Sequence, residues 1–300
     1  MVTVGECQLH KDTKKQSNVR VYCNTPLQLG QVDFINCLPI NLPIELGEMK
    51  INANVINAIP SKLNKKILDE ELDIAPVSSL AYLENKDKLV PIADLCIASN
   101  GPADSVLLFS KFPIEELNGV NVALSSASAT SNKLLQILFK EFYKLNNRFE
   151  IIPPSPPLPV SPSPFSAALL IGDHALLEFS KMPRNIFIYD LGSLWKKYTN
   201  LPMVFGMWVV RKEILEKYPD EIQIISNQLR KSKEIGLTTM FDKVIKKAQE
   251  KVLISKEFYN IYFQHLSFDL TSEHIKGLEL FENLCVSYNL QFSSLAPASQ

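Results

Sequence analysis

Two rhythms of apolar and polar positions alternate along most of this 300-residue chain. Short apolar runs read as strands: Val32 to Ile35, Val55 to Ile59, Asp73 to Val77, Val106 to Ser110, Val120 to Leu124, Ala167 to Ile171 and Ile186 to Tyr189. Between them, apolar residues recur at the three- and four-residue spacing of an amphipathic helix. Pro60 suits a helical first turn, with Leu63, Ile67 and Leu68 on one face. The stretch Asn132 to Tyr143 predicts a helix with Leu134, Leu135, Leu138 and Phe142 turned inward. From Glu213 onward the pattern is mostly helical, around 222–229, 239–251, 256–266 and 273–288. Alternating strands and helices with short links predict an α/β protein with a mostly parallel, helix-covered sheet.

Four of these segments end or begin in small polar residues. The run Val32 to Ile35 stops at Asn36, and Pro39 predicts a turn just beyond. An amide is thereby placed at the carboxyl end of an early strand, where α/β proteins bind ligands. Asp73 to Leu80, Asn100 to Val106 and Ser125 to Ser131 read the same way.

Composition narrows the class. Hydrophobic residues are 46% and charged ones 21%, enough for a full core, and the length suits about two domains. A net charge of −1 without a basic stripe argues against a nucleic-acid partner. Cys7, Cys23, Cys37, Cys96 and Cys285 are scattered and never spaced Cys-x-x-Cys, which fits reduced thiols in a cytoplasmic protein. The first residues hold no apolar signal core, and no apolar run reaches the roughly 18 residues of a membrane span. Residues 1–18 read as a polar extension. Pro153 to Pro164 holds seven of the nineteen prolines, so an extended, polyproline-like surface loop is expected there.

The candidate chemistry is that of hydroxyls and amides. Ser126, Ser128, Thr130 and Ser131 crowd one helix start, a good seat for a carboxylate or phosphate, although a plain N-cap needs only one of them. Ser78 and Ser79 open another helix, as a cap or as part of a ring of donors. Ser105 stands at a strand entrance with no His-Asp pair placed for a hydrolase triad. Asp173, after Gly172, can cap a helix or act as a base. Gly206 inside an aromatic-rich strand suggests a close approach, as at an interdomain crossing, and Trp208 suggests core packing. Dinucleotide, P-loop and metal-ligand patterns are missing, so no cofactor or metal is expected.

Several motifs together resemble one family. They are Gly30-x-Val-x-Phe-Ile-Asn36-Cys-Leu-Pro39, Asp73-Ile-Ala-Pro-Val-Ser78, Gly101-Pro-x-x-Ser105-Val, Ser126-x-Ser128-x-Thr130-Ser131, Leu170-Ile-Gly-Asp173-x-Ala-Leu, and Asp190-Leu-Gly-x-Leu-Trp195 continuing to Trp208. In this order they resemble the chorismate dehydratases of the futalosine route to menaquinone, over roughly residues 29–290. The resemblance implies a two-lobed, type II periplasmic-binding-protein fold joined by two crossing strands, with the ligand between the lobes. It implies loss of water from chorismate, a small dicarboxylate, to give 3-[(1-carboxyvinyl)oxy]benzoate, with the residues at Asn36 and Ser105 tied to activity. Aromatisation drives such an elimination, so the protein mainly fixes geometry, and the substrate's own enolpyruvyl carboxylate can take the proton. Two departures fall in the second lobe: the proline run, and Ser166 where an acidic residue is common. The expected lobes are 19–103 plus 206–300, and 104–205. Two alternatives share the fold. One is a solute-binding protein for a small carboxylate. The other is the dihydroxynaphthoate-forming enzyme of the same route, whose early Ser-Pro-Cys-Pro-Asn-type motif is missing here.

Overall fold

A computed structural model describes residues 26–152, 163–182 and 184–288. The expected extension at 1–18 and most of the proline-rich loop lie outside the described residues, as do Cys7 and Cys23.

Strand β1 (Gln28–Val32) opens the fold, followed by α1 (Leu38–Glu45), β2 (Asn54–Ala58), α2 (Pro60–Leu68), β3 (Ile74–Ser78), the short α3 (Ser79–Leu83) and β4 (Leu89–Ser99). The chain then passes through 100–105 into β5 (Val106–Ser110) and β6 (Asn121–Ser125). Next come α4 (Ala129–Ile137), β7 (Arg148–Ile152), β8 (Ala167–Ile171), α5 (Gly172–Ser180), β9 (Phe187–Asp190) and α6 (Leu191–Thr199). It returns as β10 (Met203–Arg211) and finishes with α7 (Lys212–Lys217), α8 (Pro219–Leu237), α9 (Phe241–Lys251), α10 (Lys256–His265), β11 (Leu266–Asp269) and α11 (Ser272–Ser287). Among the described residues two sheets result, ordered β11-β4-β10-β3-β1-β2 and β7-β6-β8-β5-β9.

Neither sheet is mostly parallel, contrary to the reading of the alternating pattern. Only β2-β1-β3 and β7-β6-β8 are parallel; β10, β4, β11, β5 and β9 pair antiparallel to their neighbours. The crossing chain dictates this for β5 and β10. A strand that arrives from the other sheet enters at the facing edge, where the parallel strands end, and so must run against them. Gly206 of β10 thus lies opposite Ser78 at the end of β3, and Val106 of β5 lies opposite Ile171 at the end of β8.

Local chemistry explains the elements near that edge. The first strand stops at Val32, earlier than the apolar run suggests, and Ile35–Cys37 coils into a 3-10 turn. Pro39 enters the first turn of α1 rather than ending a strand, because its fixed φ suits that position. On α2, Leu63 and Ile67 are buried while Leu68 is exposed, so the apolar stripe is narrower than expected. Each buried Leu or Ile contributes about 1.5–3 kcal/mol. Helix α4 ends at Ile137 and continues as a π-helical turn, Leu138–Phe142, whose Phe142 stacks on Tyr198 at 4.6 Å. Gly206 is a close approach, since a Cβ there would lie 2.8 Å from the Val77 carbonyl oxygen. Trp208 and Trp195 are both core residues. Among the described residues, no helix is long and apolar enough to cross a membrane.

Candidate active site

The two sheets meet along the edges where β1, β3, β6 and β8 end, and every candidate residue lies on those edges. One corner is built around Asn36. It rides on the 3-10 turn after β1, and that turn is pinned from the other sheet: the Ile35 N–H donates to Asp173 Oδ1 at 2.8 Å. Asp173 sits near the start of α5 yet caps this foreign turn instead of its own helix. Lys251, at the end of α9, closes the arrangement with 3.0 Å to Asp173 and 2.8 Å to Asp33. Burial lowers the lysine's proton affinity, but its bonds to Asp33 and Asp173 outweigh that and raise its pKa overall. Gly172 has φ +60°, and a Cβ there would stand 3.3 Å from the Phe34 ring. A side chain at that position would therefore meet both strain and crowding.

Ser105 faces this corner from the start of β5. Its carbonyl accepts the Gly172 N–H at 2.7 Å. Its hydroxyl accepts from the Tyr262 phenol and donates to the Ala103 carbonyl, both at 3.2 Å. Asp190 supports the same crossing segment, accepting the N–H groups of Ala103 and Asp104 while capping α6 through Ser193. Burial raises the Asp190 pKa against those three hydrogen bonds. Beside Asp104, the His265 ring stands 2.7 Å from its carboxylate. Burial first, and then the nearby Asp173 charge, push the Cys37 thiol up to about 12, so it is a packing group. Asn36 Oδ1 is different: it is buried and has no hydrogen-bond partner within the protein, a condition shared at the second corner by Asn132 Oδ1. An acceptor left in that condition costs about 1–3 kcal/mol, which a ligand donor would recover.

The second corner is the serine-rich edge. Ser78 caps α3 through the Ala81 N–H at 3.3 Å and accepts from Asn64 Nδ2 at 3.2 Å. Ser79 is fully buried and donates to the Val204 carbonyl at 2.6 Å. Across the gap, Ser128 caps α4 through the Ser131 N–H at 3.1 Å and also bonds the Ser131 hydroxyl at 2.9 Å. The Thr130 hydroxyl accepts the Leu80 N–H at 3.0 Å, tying the starts of α3 and α4 together. Ser126 alone is exposed. Most of the hydroxyls thus serve protein groups, while the N–H groups of the first turn of α4 cannot be satisfied within the helix.

Two residues of the first corner, Tyr262 and Lys251, do not stand out in the sequence. The aromatic spacing Phe258-Tyr259-Tyr262-Phe263 marks a buried helix face but not which phenol reaches a distant serine. A surface cavity of about 460 Å³, lined by Glu70, Lys88, Arg211 and Glu216 among others, sits at the far end of the first sheet, where β10 ends and β4 begins. It is remote from both corners.

Comparison with known proteins places the chain. Residues 27–287 match the protein family described as "Menaquinone biosynthesis". The chain belongs to this family. A chorismate dehydratase of Thermus thermophilus is 30% identical over 208 residues, covering 63% of this chain and 71% of that protein. A chorismate dehydratase of Campylobacter jejuni is 30% identical over 201 residues, covering 63% and 73%. A 1,4-dihydroxy-6-naphtoate synthase of Thermus thermophilus is 25% identical over 156 residues, covering 51% of this chain and 54% of that protein. Among solved structures, a protein of Archaeoglobus fulgidus superposes with a TM-score of 0.72 at 14% identity, covering 88% of this chain and 98% of its own. The periplasmic aliphatic sulphonate binding protein of Escherichia coli superposes at 0.61 and 14%, covering 88% and 87%. At such identities these structures show the fold alone: two lobes of periplasmic-binding-protein type, as the motifs of this family imply.

Proposed function

We propose that this family member is a chorismate dehydratase, a cytoplasmic carbon–oxygen lyase of menaquinone biosynthesis. The observation that carries the reading is the family match along 27–287, together with relatives of that activity at 30% identity. The reaction removes one ring proton and the ring hydroxyl as water, and the product ring is aromatic. Because aromatisation supplies the driving force, the protein's task is to hold two carboxylates and a hydroxyl in one geometry.

The two corners suit that task. Asn36 offers a buried, unpartnered acceptor to the ring hydroxyl, and its amide N–H₂ offers donors to a carboxylate. Ser105 donates to a carboxylate or to the departing oxygen. At the second corner, a carboxylate sits on the first-turn N–H groups of α4, framed by Ser78, Ser126, Ser128, Thr130 and Ser131. Ser79 and Asp173 serve this site indirectly, by fixing α3 and the Asn36 turn. Of the lobes expected at 19–103 plus 206–300, and 104–205, the second junction is better drawn near 202, because Met203 already pairs with Ser99 in the first sheet. No step assigned here requires a cofactor.

The test is direct. Purified protein is incubated with chorismate, and the mixture is followed by ultraviolet absorbance and mass spectrometry. An aromatic product one water lighter than chorismate is the expected result. Binding without turnover would instead favour a solute-binding role, and turnover only of a cyclised futalosine would favour the naphthoate-forming activity.

A further inference from the structure

We infer that Tyr262 is a positioning residue for this elimination: its phenol holds the Ser105 hydroxyl across the lobe boundary and leaves that serine's proton available to the substrate. The inference rests on the reading of Ser105 as a substrate contact.

A phenol carries one proton, and a serine hydroxyl carries one proton and two lone pairs. Tyr262 is 1% exposed, and its oxygen lies 3.2 Å from Ser105 Oγ. Burial, reinforced by the charges of Asp173 and Asp104 and opposed by the Ser105 bond, holds its pKa well above the ordinary value. The phenol therefore stays protonated and is the donor in this pair. One Ser105 lone pair is thereby filled, and its own proton turns to the Ala103 carbonyl at 3.2 Å. Both distances are long for O–H···O bonds, which are best near 2.7–2.8 Å. Such slack leaves room for both bonds to tighten around a substrate. The Ser105 proton can swing from Ala103 to a substrate oxygen without losing the Tyr262 bond. A hydroxyl that accepts one hydrogen bond also donates a stronger one, because the bonds polarise each other.

The surroundings fix the phenol. The Tyr262 ring stacks on Phe258 at 6.1 Å and meets Phe263 edge-on at 5.2 Å. Neither contact involves the hydroxyl, so Tyr262→Phe keeps the packing and removes only the donor. The neighbouring Tyr259 is an internal control. It is equally buried, but its phenol bonds the Val252 carbonyl at 2.7 Å rather than any site residue.

The experiment measures steady-state chorismate dehydration and thermal unfolding for wild type, Tyr262→Phe, Tyr259→Phe, Ser105→Ala and the Tyr262→Phe/Ser105→Ala double variant. Tyr262→Phe should lower kcat by about tenfold with KM changed less than about threefold, the pattern of an interaction made in the transition state. In the Ser105→Ala background, the same change should have no further effect on kcat. Tyr259→Phe should lose stability while keeping turnover. If wild type dehydrates chorismate and Tyr262→Phe matches it, the inference is wrong and the functional reading stands. Additive losses in the double variant, or an equal loss in Tyr259→Phe, would likewise overturn the inference, since each indicates a structural role. If wild type itself leaves chorismate untouched, the functional reading fails and the inference falls with it.

Discussion

The two polar corners where the sheets meet differ in how many hydroxyls they gather. The serine-rich corner is the louder signal, with five hydroxyls among residues 125–131, yet nearly all of those placed by the fold answer protein groups. The Asn36 corner has two small polar residues of interest, and one of them carries a buried acceptor with no protein partner; the serine-rich corner holds one such acceptor too, Asn132 Oδ1 in the first turn of α4. Abundance of hydroxyls is therefore not availability. A helix start needs capping whether or not it binds a ligand, whereas a buried unpaired amide oxygen calls for a donor that the protein itself does not supply.

The hardest test of this contrast is Asn36 itself. Removing one preorganised donor from such a site costs about 10²–10³ in rate, so Asn36→Ala should lose that much turnover and little stability. Asn36→Gly should be equally inactive, because the residue sits in an ordinary 3-10 turn and is absent from the positive-φ positions. Near-normal turnover in either variant would make Asn36 a turn residue and remove the difference between the corners.

The next test addresses what keeps the Asn36 turn in place. Lys251 binds Asp173 of the second lobe and Asp33 of the first, so Lys251→Met should loosen closure and raise KM about fivefold at near-constant kcat. The sign with pH follows from its raised pKa. The contribution of a cation whose folded pKa is raised is complete below the unfolded value, here 10.5, and is lost as pH climbs through the folded one. Wild-type KM should show no Lys251-linked rise across neutral pH and should climb only at the alkaline end. The Met variant should lack that limb. A KM rise near pH 7 in wild type that vanishes in Lys251→Met would contradict the sign.

Much of the fold is legible in the sequence, and what is not has physical causes. Strands β5 and β8 match their apolar runs because they are central and buried on both faces. The longest strand, β4, does not show in the pattern. Pro91 interrupts it, and Ala93 and Asp94 adopt left-handed φ values of 60° and 49°, so its pairing with β10 skips residues and the alternation is lost. Asn36 and Ser105 are visible from their motifs. Tyr262 is not, since its meaning depends on a serine 157 positions away. The sequence offers the hydroxyls of Ser79 and Thr130 as caps or ligand donors but does not reveal their partners, Val204 and Leu80, which are tertiary neighbours.

The smallest expected effect sharpens the comparison from the other side. Ser128 caps α4 with its hydroxyl, and any carboxylate bound there rests on backbone N–H groups that the substitution leaves in place. Loss of an N-cap typically costs about 1 kcal/mol. Ser128→Ala should therefore lower the denaturation midpoint modestly and leave kcat within about twofold, a barrier change well below the 1.36 kcal/mol of a tenfold effect. Ser128→Gly, which costs only a few tenths of a kcal/mol at a cap, should recover most of the stability. A tenfold rise in KM for both variants, with stability recovered only in the glycine one, would show that the hydroxyl itself touches the substrate. The serine-rich corner would then be as open to the ligand as the Asn36 corner.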